Sequence, residues 1–491
     1  NTSLKTLVDN LNSSNHEFNI LKQSDIVLNS NDEFDESKFE ILKVGKGIIA
    51  YDYLTSYSKI SNMTSLPKKE EFFSVLSNSH ISESDFEFAK LYWDTFKFKT
   101  YKENVLTYCV QDVLLLAEVV LKYRTVIFNQ FKIDPCRYIG LPAVSFDIFL
   151  KSLSLSKVKL DFIPDAKMHS FFRRAIRGGV SYIDTHHAFG CDDMQKKKSD
   201  FLIYLDVNSL YPAVMTRKLP TGGYQFMGKN SIDSLMVDNQ KNIHNYNEKG
   251  NWGCFLECDL TYPKSLHNRT NNMILAPYTR SVERNDLSEE SLKALHIINP
   301  RRNLNNFSEK KLIADFNPRK KYVLHISVLK TYLKMGMVLE KIHSGVEFKQ
   351  ANFLSDHIHC LSNLRSNATT KFDKDMYKLL TNSIYEKFIQ NPYLYHHTEF
   401  FSSQLDPDIS KKVIKRTSSP YFKSIMPIGT SAVLVDSLPP KLKMNQIVSI
   451  GATILDYSKQ FMYQMYYANL EPHWGFGNID IVMSDTDSFL L

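Results

Sequence analysis

The chain has 491 residues, of which 43% are hydrophobic and 12% aromatic, so it is long enough for two to four domains and can bury a sizeable core. This composition excludes an intrinsically disordered chain. The 60 Lys and Arg residues exceed the 53 Asp and Glu residues and give a net charge of +7, which suits a polyanionic partner without requiring one.

Periodic apolar residues predict most of the secondary structure. Helical spacing predicts helices within residues 82–125, 140–155, 353–390 and 451–470. Shorter apolar runs predict a strand after two glycines in 173–185, a strand with an acidic end at 201–206, and a strand, acidic turn and strand over 479–491. The remaining stretches are loops with short elements at 1–60 and mixed regions at 216–350 and 391–450.

The six cysteines, at positions 109, 136, 191, 254, 258 and 360, are too scattered for a disulfide framework and predict reduced thiols. Cys254 and Cys258 have no second pair nearby that would complete a zinc site, which favours two strand cysteines in a core. A metal site at His357, His359 and Cys360 is disfavoured on the same ground.

Both ends of the chain and its most apolar run bear on its location. The N-terminus is polar, begins with Asn1 and lacks a signal pattern, and the run at 113–121 is interrupted by Glu118 and is too short to span a bilayer. We therefore expect a soluble intracellular protein without a membrane partner, in a compartment that the sequence does not name. Because the last residues stop inside an apolar run, we expect a fragment of a longer chain.

Three aspartates lie where buried strands end. Asp206 closes one apolar run, and Asp485 and Asp487 flank Thr486 after another. At strand spacing, residues two apart share a face, and carboxylates that close repel unless a cation lies between them. Phosphoryl transfer by two metal ions about 3.5–4 Å apart needs such hard oxygen ligands. The alternative is a surface hairpin with acidic turn residues.

The run KLLTNSIYEKF at 378–388 has two different faces when it is placed on a helix. Lys378, Asn382 and Tyr385 fall within about 60° of one another. The opposite side carries the apolar residues Leu380, Ile384 and Phe388. A plain amphipathic surface helix explains the apolar stripe equally well.

Taken in order, DVNSLYP at 206–212, KLLTNSIYEKF at 378–388 and SDTDS at 484–488 resemble the three polymerase motifs of the family B DNA polymerases. The resemblance implies template-directed addition of deoxynucleotides to a primer 3′ hydroxyl, or to a protein hydroxyl, by two-metal-ion phosphoryl transfer. The implied fold is mixed α/β, with a ribonuclease H-like exonuclease remnant followed by a right-hand palm and fingers and without a thumb.

The resemblance assigns the catalytic centre to the aspartates. Asp206 and Asp487 would ligate two Mg²⁺ ions, with Mn²⁺ as an alternative, and the carbonyl of Val207 would add a ligand. Asp485 would support them. Tyr211 would lie beneath the sugar of the incoming nucleotide, where a rigid ring leaves no room for the 2′-hydroxyl that distinguishes RNA from DNA.

The same resemblance assigns nucleotide binding to the helical region. Lys378 would contact the triphosphate, and Asn382 and Tyr385 would line the pocket for the base pair and the sugar. A second cation would grip the phosphates, and either Arg365 or Lys371 would supply it.

Two further segments match the family outside its polymerase motifs. Tyr108 and Asp112 share a helix face and match the third exonuclease motif, although a buried polar pair explains them as well. No D-x-E pair lies in a strand setting before residue 100, and NDEFD at 31–35 mimics the second exonuclease motif but lies in a polar loop. The first two motifs are therefore expected to be cut off, and proofreading by this chain is not expected. Arg177, Gly178 and Gly179 match a DNA-contacting Y-x-G-G segment, with Ile in place of Tyr, and Thr486 is expected to contact DNA with them.

The long insertions resemble the protein-primed branch of the family, which implies a terminal protein as a partner beside primer-template DNA and deoxynucleoside triphosphates. The predicted domains are a partial exonuclease-like domain at 1–165, a palm with an insertion at 166–352, fingers at 353–390, and a palm with a second insertion at 391–491.

Two substitutions depart from the family pattern: Glu386 replaces a Gly, and Met483 replaces a Tyr. Glu386 and the missing ends of the chain favour the alternative of an inactive, nucleic-acid-binding relic of a mobile-element polymerase. The intact aspartates, Tyr211 and Lys378 favour the enzyme. A reverse transcriptase would show adjacent acidic residues with none between them.

Overall fold

The structure is a computed structural model that describes residues 3–45, 47–156, 158–185, 187–190, 201–237, 240–300, 302–406 and 408–491. The chain packs into two compact units. Unit 1 comprises residues 1–148 and 359–381, and unit 2 comprises residues 149–358 and 382–491. These two units divide the chain differently from the four expected domains, because part of the region expected to form fingers packs with the N-terminal residues. The four-domain division stays a prediction.

The helices and strands follow the chain in this order. The helices are α1 (Leu4–Asn12), α2 (Asn19–Lys22), α3 (Glu36–Lys43), α4 (Tyr57–Asn62), α5 (Glu83–Phe96), α6 (Tyr101–Phe131), α7 (Leu141–Leu155), α8 (Ala166–Ala175), α9 (Leu210–Met215), α10 (Lys229–Met236), α11 (Lys241–His244), α12 (Lys264–Thr270), α13 (Glu289–Ile298), α14 (Ile326–Met335), α15 (Ser355–Asn367), α16 (Lys371–Ile389), α17 (Ile409–Thr417), α18 (Val448–Gln464) and α19 (Glu471–Trp474). The strands are β1 (Ser181–Ile183), β2 (Tyr204–Asp206), β3 (Leu219–Phe226), β4 (Trp252–Thr261), β5 (Tyr278–Glu283), β6 (Ser308–Ile313), β7 (Arg319–His325), β8 (Val338–Ala351), β9 (His397–Ser402), β10 (Phe422–Ile428), β11 (Ala432–Ser437), β12 (Met483–Asp485) and β13 (Ser488–Leu490).

The predicted helices within 82–125, 140–155, 353–390 and 451–470 are confirmed, as are the strands on either side of the acidic turn near the C-terminus. Caps explain several helix starts. Thr100 and Glu103 form a reciprocal capping box at the start of α6, and Ser82 accepts the Asp85 amide at the start of α5.

Unit 1 is built from helices around α6. Side chains of α1, α2 and α3 form one apolar core with α6, including Leu11, Leu21, Leu42 and Leu115. Among the residues that the structure describes, β pairing in this unit is limited to two isolated bridges. A ribonuclease H-like arrangement therefore stays a prediction.

Helix α6 is long and apolar enough to cross a membrane by length and composition, with 31 residues and a mean hydropathy of 1.6 in its most apolar window. The expectation of a stretch too short to span holds for the run at 113–121 but not for the whole helix. Glu118 ties the helix into unit 1, because its carboxylate accepts the Ile20 amide at 2.5 Å and the Leu21 amide at 3.1 Å and contacts His16 Nε2 at 2.9 Å. These contacts fix one face of the helix to unit 1, while only 33% of its most apolar window is buried.

Replacing Glu118 is expected to destabilise unit 1. Glu118 is 1% exposed, and Glu118→Ala leaves two main-chain donors without their acceptor, at a cost of about 2–4 kcal/mol in the free energy of unfolding. Glu87→Ala on the exposed side of α5 is the matched control, with an expected change within about 0.5 kcal/mol. Equal midpoints of chemical denaturation for the two variants would contradict this role of Glu118.

Unit 2 contains the sheets. In the described part of the chain, its strands form antiparallel sheets in the orders β1-β12-β13-β2, β3-β8-β4-β7, β10-β11-β9 and β5-β6. Helix α18 is buried at every residue from 448 to 460 and packs against α8, α9 and β3. The first of these sheets carries the three aspartates.

The cysteines of β4 are core residues, as predicted: Cys254 is 7% exposed and Cys258 is fully buried. Burial raises the pKa of the Cys254 thiol to about 12. On α15, His357 is buried against the Phe149 ring with centroids 5.9 Å apart, whereas the next two residues of that cluster are exposed. Position 191 lies outside the described residues.

Candidate active site

Two strand ends bring Asp206 and Asp487 together. Asp206 ends β2 and lies opposite Ser488, the first residue of β13. One step further, the Val207 amide donates to the Asp487 carbonyl at 2.8 Å. Main-chain pairing thus holds Asp206 and Asp487 next to each other, although they are nearly 300 positions apart in the sequence. This pairing fixes the backbone positions from which their carboxylates extend.

The chain reverses tightly between Asp485 and Asp487. Asp485 ends β12 and pairs with Ser488, so the turn consists of Thr486 and Asp487, with Thr486 at a φ of +57°. The expectation that the two aspartates share a strand face is wrong, because the strand stops at the first of them. The turn is anchored from outside: the Thr486 amide donates to the Val180 carbonyl at 2.9 Å.

Asp485 is engaged by neighbouring hydroxyls. Its Oδ1 accepts the Ser181 hydroxyl at 2.6 Å and the Thr486 hydroxyl at 3.3 Å. An oxygen with two donors is less available to a cation than a free one, which agrees with a supporting position. Ser181 was missed by the sequence analysis, since a serine in a short strand carries no distinguishing signal.

The donor chemistry at these strand ends fits a hard cation. The carboxylates of Asp206 and Asp487 and the main-chain oxygen of Val207 are the ligand types that Mg²⁺ prefers. Over the ranges that the structure describes, no three Asp, Glu, His or Cys side chains gather as a metal site of their own. Mg²⁺ ordinarily binds one or two carboxylates and completes its shell with water and substrate phosphates, so a two-carboxylate site is sufficient.

Residues of all three polymerase-like motifs meet beside these carboxylates. Tyr211, in the first turn of α9, stacks on Tyr385 of α16 with ring centroids 4.5 Å apart and an interplanar angle of 20°. Burial raises the pKa of the Tyr211 hydroxyl, and the nearby Tyr385 and Asp487 raise it further. The stacked pair therefore lies within electrostatic reach of the acidic turn.

Helix α16 has the two faces that its sequence predicts. Leu380 and Ile384 are fully buried and Phe388 is 1% exposed, so the apolar stripe is confirmed. On the other face Asn382 and Tyr385 are half-buried. The exposed carboxylate of Glu386 follows Tyr385, whose pKa is raised first by burial and then by that charge.

The predicted phosphate-binding cations all belong to unit 1. Arg365 is half-buried on α15, and Lys371 and Lys378 are exposed on α16. Lys378 lines a mostly apolar cavity of about 570 Å³ within unit 1, together with Asp375 and Met376. Their contact with a triphosphate stays a prediction.

The assignment of Arg177 to DNA contact needs correction. Its side chain is 6% exposed, lies 3.7 Å from Asp456, and stacks over the Tyr322 ring at 3.9 Å. It also donates to the Val323 carbonyl. A guanidinium that is buried inside unit 2 and held by these contacts is not exposed to a phosphate, and its basic character in the sequence does not reveal this burial.

The two glycines after Arg177 differ from each other. A Cβ on Gly179 would lie 2.5 Å from the Thr486 side chain, whereas a Cβ on Gly178 would meet nothing within 4 Å. Gly179 is therefore required by the close approach of the acidic turn, independently of any phosphate. The same contact occupies one side of Thr486, and a DNA contact by Thr486 stays a prediction.

The pair resembling an exonuclease motif does come together. Tyr108 is 4% exposed on α6, interacts with Asp112 one turn away, and hydrogen-bonds the Tyr51 hydroxyl. Burial raises the pKa of Tyr108 to about 12. Within the described ranges no group of three Asp, Glu, His or Cys side chains forms a metal site around Asp112, so an exonuclease role stays a prediction.

Comparison with known proteins identifies the family. The family model "DNA polymerase type B, organellar and viral" matches residues 36–467, which is most of the chain. The chain therefore belongs to the organellar and viral type B DNA polymerases, and the resemblance inferred from its three motifs is confirmed.

Three fungal relatives carry the name probable DNA polymerase. The protein of Ascobolus immersus is 24% identical over 81% of this chain and 28% of its own length. The protein of Agaricus bitorquis is 23% identical over 70% of this chain and 36% of its own length. The protein of Neurospora intermedia is 29% identical over 25% of this chain and 11% of its own length. The chain thus spans at most about a third of the length of these relatives.

Among solved structures, Phi29 DNA polymerase is similar at 16% identity over 91% of this chain and 59% of that chain, with a TM-score of 0.43. Its complex with primer-template DNA gives the same identity and coverage, with a TM-score of 0.44.

Proposed function

We propose that the chain is the catalytic part of a DNA-directed DNA polymerase that adds deoxynucleotides to a primer 3′ hydroxyl, or to a protein hydroxyl, on a DNA template. The observation that carries the proposal is the convergence of three motifs: the stack of Tyr211 on Tyr385 lies within electrostatic reach of Asp487, next to Asp206. Family membership supports the same chemistry.

In this proposal Asp206, Asp487 and the Val207 carbonyl hold two Mg²⁺ or Mn²⁺ ions. When bound, such ions activate the attacking hydroxyl and stabilise the charge on the leaving phosphate. Asp485 orients the turn through its hydroxyl partners. The protein supplies a fixed geometry for these acids, since β2 and β13 pair at that point.

The nucleotide would lie on the stacked tyrosines. The ring of Tyr211, held flat by Tyr385, would form the floor beneath the sugar and exclude a 2′-hydroxyl. Asn382 would contact the base pair. Lys378, with Arg365 or Lys371, would bind the triphosphate as charge-assisted hydrogen-bond donors.

The wider assignments belong to the same proposal. Primer-template DNA, deoxynucleoside triphosphates and a priming terminal protein are the proposed partners. The proposed domains are an exonuclease-like domain and a palm with fingers. The second candidate function is an inactive DNA-binding relic, which the exposed Glu386 beside Tyr385 favours, because an acidic side chain repels a triphosphate.

Primer extension decides between the two candidates. The chain is expected to incorporate the templated deoxynucleotide with Mg²⁺, to lose this activity with a chelator, and to lose at least about 100-fold in rate in Asp206→Asn, since about 2.7 kcal/mol of charge stabilisation suffices for that. Asp286→Asn is the control, because Asp286 pairs with Arg280 beside a different sheet. DNA binding without incorporation would identify a relic, and extension by Asp206→Asn would refute the metal assignment.

A further inference from the structure

Three charged side chains are buried together in unit 2. Lys459 is 5% exposed, Asp456 is 2% exposed, and Arg177 is 6% exposed. Removing a charged group from water costs several kcal/mol even after relaxation, so such a cluster is retained only where its partners are well placed. Asp456 balances Arg177 and accepts the His325 amide at 2.9 Å.

Lys459 has a different connection. Its Nζ donates to the Arg177 carbonyl at 2.6 Å and to the Leu455 carbonyl, in its own helix, at 3.0 Å. Both of these hydrogen bonds end on main-chain oxygens, so the side chain ties α18 to the backbone at position 177. The hydrogen bond from Lys459 to the Arg177 carbonyl is not needed to balance the charge of Asp456, because the Arg177 guanidinium already does so.

The backbone beyond Arg177 leads directly to the acidic turn. We call residues 177–181 the clamp segment. Gly179 touches the Thr486 side chain, the Val180 carbonyl accepts the Thr486 amide at 2.9 Å, and the Ser181 hydroxyl donates to Asp485 Oδ1 at 2.6 Å. Three successive residues of the clamp segment thus hold the turn that carries Asp487.

We infer that Lys459 is a positioning residue for the catalytic carboxylates, acting by fixing the clamp segment against the acidic turn. The consequence for catalysis rests on the proposed function, whereas the consequence for the turn does not. Lys459 touches neither carboxylate and acts only through the Arg177 carbonyl, four residues before Ser181.

This role does not depend on the charge of Lys459. Burial lowers the pKa of Lys459 to about 7, with Asp456 opposing and Arg177 adding to the shift, and burial lowers the pKa of the neighbouring His325 to about 3. A neutral amine retains two N–H donors, which match the two carbonyl acceptors. The tie therefore persists on both sides of neutral pH.

The test compares two neutral replacements of similar size. Lys459→Met removes the donors, whereas Lys459→Gln keeps an N–H₂ group one atom closer to the backbone. In Lys459→Met the Thr486 amide is expected to exchange with solvent at least about tenfold faster, because its bonded state then opens more often. Lys459→Gln is expected to lie between Met and the natural chain, and Thr453→Val, whose hydroxyl bonds only within α18, is the control without effect.

Activity provides the second readout. Lys459→Met is expected to raise the Mg²⁺ concentration for half-maximal incorporation several-fold and to lower kcat about 10–100-fold with little change in KM for the nucleotide, since a misplaced group costs rate at constant binding. If the natural chain incorporates no nucleotide, the proposed function is contradicted. Exchange of the Thr486 amide still tests whether Lys459 positions the acidic turn. Equal exchange in the Met, Gln and natural chains would overturn the inference.

A second pair of variants tests the clamp segment if Lys459→Met does not fold. Gly179→Ala pushes on Thr486 and is expected to reproduce both the faster exchange at the turn and the higher Mg²⁺ concentration for half-maximal incorporation. Adding Thr486→Gly removes the opposing side chain at a residue with φ of +57°, where glycine is favoured, and is expected to suppress both effects. Failure of Gly179→Ala to disturb the turn would contradict the clamp segment, and with it the inference.

Discussion

Asp487→Asn is expected to lower the rate of nucleotide incorporation by at least about 1,000-fold, a loss of about 4 kcal/mol in transition-state stabilisation. The amide has nearly the shape of the carboxylate but not its charge. Asp487 lies in a two-residue turn whose backbone is held by a hydrogen bond from the Val207 amide, so the replacement is expected to keep the backbone position of the aspartate. Single-turnover incorporation at saturating Mg²⁺ measures the effect.

Asp485→Asn is the matched control for that variant. Asp485 is two residues away and accepts hydroxyls from Ser181 and Thr486, and an amide oxygen accepts the same bonds. We expect a loss of about tenfold or less, since a positioning contact is largely retained. Equal losses of rate in the two variants would contradict the assignment of Asp487 as a metal ligand and of Asp485 as a residue that only supports it.

The sequence predicts what depends on local pattern. The two faces of α16 follow from spacing alone, and burial of Leu380, Ile384 and Phe388 agrees with it. The strand, turn and strand around Thr486 also follow from local pattern. The convergence of Asp206 with Asp487 required the resemblance to a family, because no spacing within one segment indicates pairing between β2 and β13.

What the sequence missed depends on packing between distant segments. Arg177 reads as a surface cation beside two glycines, yet Asp456 and Tyr322, far along the chain, enclose it. The strand spacing of Asp485 and Asp487 misled because Thr486 adopts a left-handed φ that threonine seldom takes. Likewise, only the fold reveals that residues 359–381 pack with the N-terminal helices.

If Lys459 positions the acidic turn, the candidate site depends on buried charge as well as on the residues proposed to bind metal ions. Lys459 and Arg177 lie on different segments, and their meeting point is the backbone that leads to the acidic turn. We therefore expect substitutions in α18 that leave the three aspartates intact to act at the carboxylates as well. The sequence of α18, which shows one acid and one lysine in an apolar helix, gives no hint of this.

Tyr211→Val is expected to relax discrimination against ribonucleotides by about 100-fold, which corresponds to about 2.7 kcal/mol. The ring stacks on that of Tyr385 with centroids 4.5 Å apart and an interplanar angle of 20°, and this contact opposes a movement that would admit a 2′-hydroxyl. Valine removes the ring but keeps an apolar surface. The ratio of kcat/KM for a deoxynucleotide to that for its ribonucleotide measures the change.

Tyr211→Phe separates the ring from its hydroxyl. The phenol interacts with Tyr385, and burial raises its pKa, so it is neutral and contributes no charge near Asp487 at physiological pH. Phenylalanine keeps the stacked ring, and we therefore expect it to preserve sugar discrimination within about twofold, as an isosteric change does in an apolar contact. If Phe relaxes discrimination as much as Val, selection depends on the hydroxyl, and if neither does, the floor beneath the sugar is formed by another residue.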